Sequence, residues 1–124
     1  MSGNKIFVDT NILLYLLKGD TTLEAFLQDK NIYVSFITEM ELLGFAKMSE
    51  KEYQQITSLL AQCTIIDMDA GIKQMAIPYQ KQYRLKLPDS LIVATASYLS
   101  IPFITADTAL QRLENILGMV IYKP

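Results

Sequence analysis

Four times in this 124-residue chain a short run of β-branched or aromatic residues passes within a few positions into a helical pattern. Lys5–Val8 leads into Asn11–Leu17, Ile32–Ile37 into a segment opened by Thr38, "CTIID" (63–67) into Asp69–Arg84, and "IPFIT" (101–105) into Thr108–Leu113. A closing run, "MVIY" (119–122), supplies a fifth strand. Strands separated by helices return to the sheet by crossovers rather than hairpins. The pattern therefore predicts a three-layer α/β/α sandwich around a central, mainly parallel sheet of about five strands.

The other helical segments carry their own start signals. Ser49 and Glu52 form an S-x-x-E capping box ahead of Ile56, Leu59 and Leu60, and Thr38 and Glu41 have the same spacing. Thr22–Leu27 is a short helix, and Pro78 is expected to kink or split the 69–84 helix. "LPDSLIVATASYL" places Pro88 and Asp89 in a first turn and is apolar or small almost all round, as a buried helix is. No repeat, low-complexity tract or linker interrupts the pattern, so residues 1–124 read as one domain.

The chain contains no histidine, which removes Ser-His-Asp and Cys-His catalysis and histidine-based zinc sites together. Its single cysteine, Cys63, allows no disulfide framework and reads as a small core hydrophobe of a reducing compartment. There is no apolar run of roughly 18 residues and no secretory signal pattern, so the expected location is the cytoplasm. A hydrophobic fraction of 51% in so small a chain implies leftover apolar surface, and hence a dimer or a partner. A net charge of −2 excludes a broadly basic nucleic-acid surface but leaves room for a local patch.

Any catalysis must then rest on carboxylates, hydroxyls, Lys, Tyr or a hard metal ion. In a parallel sheet ligands gather at the carboxyl ends of the strands. Asp9 follows the first strand, Glu41 lies one turn into the helix after the second, and Asp107 lies two residues beyond the fourth. Asp89 begins the buried helix that leads into that fourth strand. Taken singly, Asp9, Asp89 and Asp107 are better explained as helix caps or first-turn acids, and Glu41 as the return half of a capping box. Glu39 is the control, because it points about 200° away from Glu41 on a 3.6-residue helix. Taken together, four converging carboxylates repel one another unless a cation is present. Mg²⁺ or Mn²⁺ prefers such oxygen donors and supports phosphodiester cleavage without histidine.

"FVDTNILLYLL", "ITEMELLG", "LPDSLIVATA" and "ITAD", in this order and at these spacings, resemble the PIN-domain ribonucleases, and most closely the VapC-type toxins of bacterial toxin–antitoxin pairs. The resemblance covers essentially the whole chain. It implies a Mg²⁺- or Mn²⁺-dependent endoribonuclease whose catalytic and metal-binding acids are Asp9, Glu41, Asp89 and Asp107. It further implies supporting polar roles for Asn11, Thr38 and Thr105, and an RNA substrate for which transfer RNA is the family-level candidate. Homodimerisation and a small antitoxin laid across the active-site groove also follow from it, with Leu13, Leu14, Leu17 and Phe45 as groove candidates. Arg84, Lys86 and Arg112 are candidate contacts to RNA phosphates, weighed against plain solvation. One departure is Leu110, where many relatives carry an aromatic three residues after the fourth acid.

Two other readings compete. A receiver-type phospho-acceptor domain would use Asp67 at the end of the third strand, with Thr105 and Lys123 in supporting places. Against it, Asp9 is followed by Thr10 and Asn11 rather than by a second acid, and Asp67 and Asp69 read as turn and capping residues. A PIN-like scaffold that binds without cutting is the third reading, and retention of four mutually repelling acids argues against it.

Overall fold

The computed structural model describes residues 4–114 and 118–124. Its elements run β1 (Lys5–Val8), α1 (Thr10–Leu17), α2 (Thr21–Leu27), β2 (Asn31–Ser35), α3 (Phe36–Leu43), α4 (Glu50–Ala61), β3 (Thr64–Ile66), α5 (Ala70–Tyr83), α6 (Leu87–Leu99) and β4 (Phe103–Thr105). A 3₁₀ turn (Thr108–Leu113) and β5 (Val120–Ile121) complete the order. All strand pairs are parallel, and the five lie in the order β3-β2-β1-β4-β5.

Period-2 alternation in the central strands feeds packing on both faces of the sheet. Ile6 and Val8 of β1 and Ile104 of β4 pack with Ile12 and Leu13 of α1, Leu23 of α2, Leu42 of α3 and Ile56 of α4. Phe7 and Phe103 point to the opposite face, against Ile92 and Val93 of α6 and Leu110 and Leu113 of the 3₁₀ turn. The two rings are direct partners across β1 and β4 and meet edge to face, 5.3 Å between centroids. Leu110 is fully enclosed there, so a leucine fills the space beneath Asp107 without an aromatic.

Three sequence expectations are corrected. The second strand ends at Ser35, not Ile37, because Ser35 caps α3 by accepting from Ile37 N–H at 3.0 Å, and Phe36 and Ile37 are already helical. Thr38 is consequently buried inside the helix and forms no capping box with Glu41. The box of Ser49 and Glu52 does form at α4. Finally, α5 runs unbroken through Pro78, which costs one backbone hydrogen bond but does not split the helix.

Cys63 packs half-buried against the cluster of Ile6 and Val8, its thiol pushed up to about 11 by burial. Among the described residues no helix is long and apolar enough to cross a membrane. Large apolar side chains nevertheless remain on the surface, Met40 at 63% and Phe45 at 71% exposure being the extremes.

Candidate active site

The strand order reverses at β1, with β2 and β3 on one side and β4 and β5 on the other. A crevice therefore opens at the carboxyl ends of β1 and β4, the position where doubly wound sheets hold their ligands. A cavity of about 390 Å³ lies there, lined by Asp9, Thr10, Asn11, Glu41, Asp89 and Asp107, with Leu14, Phe45, Met48 and Ile56 along its apolar wall. Glu52 also lines it, but its carboxylate is committed to the Ser49 N–H at 3.0 Å. No basic residue among the described ones lines the cavity, and Glu39 does not reach it.

Each acid arrives on a different element. Asp9 caps α1, its Oδ1 accepting from Ile12 N–H at 3.3 Å, while its Oδ2 accepts from the Thr105 hydroxyl at the end of β4. One oxygen of Asp9 thus caps α1, as its position in the sequence suggested, and the other faces β4. Asp107 caps the 3₁₀ turn through Ala109 N–H at 2.9 Å, and its own N–H donates to Thr105 Oγ1 at 3.0 Å. Asp89 sits in the first turn of α6 behind Pro88, and the N-cap Lys86 makes no side-chain capping bond. Glu41 is on the second turn of α3, where its Oε1 accepts from the Thr10 hydroxyl at 2.6 Å.

The electrostatics record how close the acids are. Burial drives the Asp9 carboxyl up to about 6 against the lowering effect of its hydrogen bonds, and the charges of Asp107 and Asp89 push it further the same way. Burial also raises Asp89, followed by the charges of Asp107 and Glu41, with Lys86 opposing. All four acids are coupled through space, although they come from four separate elements.

Among the supporting residues, Asn11 is exposed on the cavity wall, Thr105 holds Asp9, and Thr38 reaches the acids only through Thr10. Of the candidate RNA contacts, none lines the cavity. Lys86 stands close enough to affect Asp89, whereas the Arg112 guanidinium is tied to the Tyr83 carbonyl at the end of α5. Arg84 ends α5 in the left-handed region at φ 55°, a conformation that glycine adopts more easily. Leu13 is wholly buried in the core and Leu17 lines a different hollow, so of the groove candidates only Leu14 and Phe45 face the acids. Thr10 is the functional candidate that sequence reasoning passed over, because no local pattern pairs it with Glu41, 31 positions away.

The same strand order removes the receiver reading. That reading needs the third strand beside the first, so that an acceptor aspartate meets the acids of the first strand. Here β4 is the neighbour of β1 and β3 is an edge strand, which leaves Asp67 away from Asp9.

Residues 6–116 match the family described as PIN domain. The chain belongs to the PIN-domain family. Among solved structures, this PIN domain is similar to a toxin–antitoxin complex from Klebsiella pneumoniae, with 29% identity and a TM-score of 0.80 over 96% of this chain and 99% of that one. It also resembles VapBC-1 from nontypeable Haemophilus influenzae (20% identity, TM-score 0.77, 96% and 97% covered). A third likeness is to VapBC2 from Rickettsia felis bound to a promoter DNA fragment (18%, TM-score 0.75, 95% and 97% covered). No curated protein matches the chain by sequence. The resemblance to VapC-type PIN domains therefore holds for the fold and the family.

The donor set of this PIN domain fits a hard divalent ion. It consists of carboxylates with threonine and asparagine oxygens, with no histidine in the chain and no basic side chain among the described residues lining the cavity. Among the described residues no three acids form a ready-made cage for one ion. Magnesium tolerates this, because it commonly keeps several waters and takes one or two protein carboxylates directly.

Proposed function

We propose that this PIN domain is a Mg²⁺- or Mn²⁺-dependent endoribonuclease, the toxin of a toxin–antitoxin pair. It acts in the cytoplasm as one domain over residues 1–124, on an RNA substrate for which transfer RNA is the family-level candidate. The observation that carries the reading is a cavity at the sheet's switch point lined by four coupled acids and, among the described residues, no base. A phosphodiester is repelled from such a cavity unless a cation enters with it.

Asp9, Glu41, Asp89 and Asp107 would hold the ion. Bound there, it would lower the pKa of a water and neutralise charge building on the phosphodiester. Asp9 is kept in place by two donors from different elements, Ile12 N–H and the Thr105 hydroxyl, so its carboxylate does not reorient when charge arrives. Asp89, its proton affinity likewise raised by burial and by its neighbours, gains from added positive charge. Lys86, outside the acid cluster, supplies positive charge where the RNA backbone would approach. Leu14, Phe45 and Met48 form the apolar wall against which a small antitoxin would lie, and the exposed Met40, Leu87 and Val120 leave apolar surface for a homodimer.

The test incubates purified protein with total RNA in Mg²⁺, in EDTA, and as Asp9→Asn and Asp89→Asn variants. Cleavage should need the metal and disappear in both variants. Metal-independent cleavage, or full activity in both variants, would sink the mechanism.

A further inference from the structure

Thr10 lies between two oxygens that belong to different parts of α3. Its Oγ1 is 2.6 Å from Glu41 Oε1 and 3.0 Å from Thr38 Oγ1. A hydroxyl has one proton, and a carboxylate only accepts. Thr10 therefore gives its proton to Glu41 at the shorter distance, and Thr38 Oγ1 stands beside the same hydroxyl as its second, longer contact. Thr38 is fully buried, so this neighbour of the Thr10 hydroxyl is fixed in place.

Glu41 needs such a hold. It is exposed, has three rotatable side-chain bonds, and is repelled by the charge of Asp89 across the cavity. Left alone it would favour rotamers that carry its carboxylate into solvent. Thr10, by contrast, is β-branched, sits in a helix, and is bonded to Asp9 through the backbone, so its hydroxyl is fixed relative to the first acid.

We propose that Thr10 is a positioning residue: seated against Thr38, it holds Glu41 at the metal site and couples the place of that acid to Asp9. This rests on the reading of the acids as metal ligands. The arrangement has a counterpart on the other side of the site, where Asp107 N–H orients Thr105 toward Asp9. Two threonine hydroxyls thus present two of the four acids.

The test titrates Mn²⁺ into RNA-free protein by calorimetry and by the loss of the free-ion paramagnetic resonance signal. Thr10→Val should weaken Mn²⁺ binding about tenfold or more, the usual effect of losing a group that orients a ligand. Thr10→Ser should restore it. The double variant Thr10→Val/Thr38→Val leaves no buried hydroxyl without a partner and should show the same weakening in a well-folded protein. On a Glu41→Gln background, Thr10→Val should have no further effect. Unchanged affinity in Thr10→Val and in the double variant, beside normal wild-type binding, overturns this inference alone. So does an undiminished effect of Thr10→Val on the Glu41→Gln background. Failure of the wild type to bind Mn²⁺ overturns it together with the functional reading.

Discussion

The Thr105 hydroxyl donates to Asp9 Oδ2 across 96 positions of sequence, joining the carboxyl ends of β1 and β4 where the strand order reverses. This bond makes an otherwise ordinary capping aspartate the buried centre of the site, at 5% exposure. Replacing Thr105 with Val should cost about 1–3 kcal/mol, since a buried charged acceptor then lacks a donor, and Thr105→Ser should recover most of it. Equilibrium urea unfolding at pH 7 in EDTA measures the difference. A loss below about 0.5 kcal/mol would show that the bond does not persist in solution.

Asp9 also sets a pH dependence. Its carboxyl titrates near 6 in the fold against 3.8 in the free group. Below both values it is protonated in folded and unfolded chains alike. As pH rises through this window the unfolded chain ionises first, so the metal-free fold loses stability, by about 3 kcal/mol once above 6. Asn retains capping ability, so Asp9→Asn should abolish this slope and be more stable than wild type at pH 8 while losing cleavage. Thermal melts in EDTA from pH 4 to 8 would reveal it, and a variant less stable than wild type at pH 8 would contradict it.

Divalent ions should relieve the same repulsion. At a hundredfold excess over its dissociation constant, Mn²⁺ should stabilise the wild type by about 2.7 kcal/mol. Asp9→Asn and Asp107→Asn should lose most of this shift. An equal rise in melting temperature in all three proteins would mean that the ion binds elsewhere.

Leu110 occupies the place where many PIN relatives carry an aromatic, and here it is enclosed by Phe7, Phe103 and Leu113. Because that space is full, Leu110→Phe should destabilise by about 1–3 kcal/mol, and Leu110→Ala by about 2–5 kcal/mol through the cavity it leaves. Denaturant midpoints at constant m value decide both. A stabilising Leu110→Phe would show the site to be underpacked.

Sequence alone determined the alternation of strands and helices, the exclusion of histidine chemistry, and the choice of four acids that the fold brings to one cavity. Those features are written in residue identity, in short-range periodicity and in the rule that parallel strands end on one edge. Tertiary structure alone decided which strand lies beside β1, and hence that Thr105 rather than Asp67 meets Asp9. It also moved the cap of α3 to Ser35, which freed Thr38 and Glu41 from the capping box that their spacing predicted and gave both to Thr10. The physical reason is that a hydroxyl's choice of partner depends on distances of about 3 Å between elements far apart in sequence. Local pattern cannot encode those distances; packing on both faces of the twisted sheet sets them.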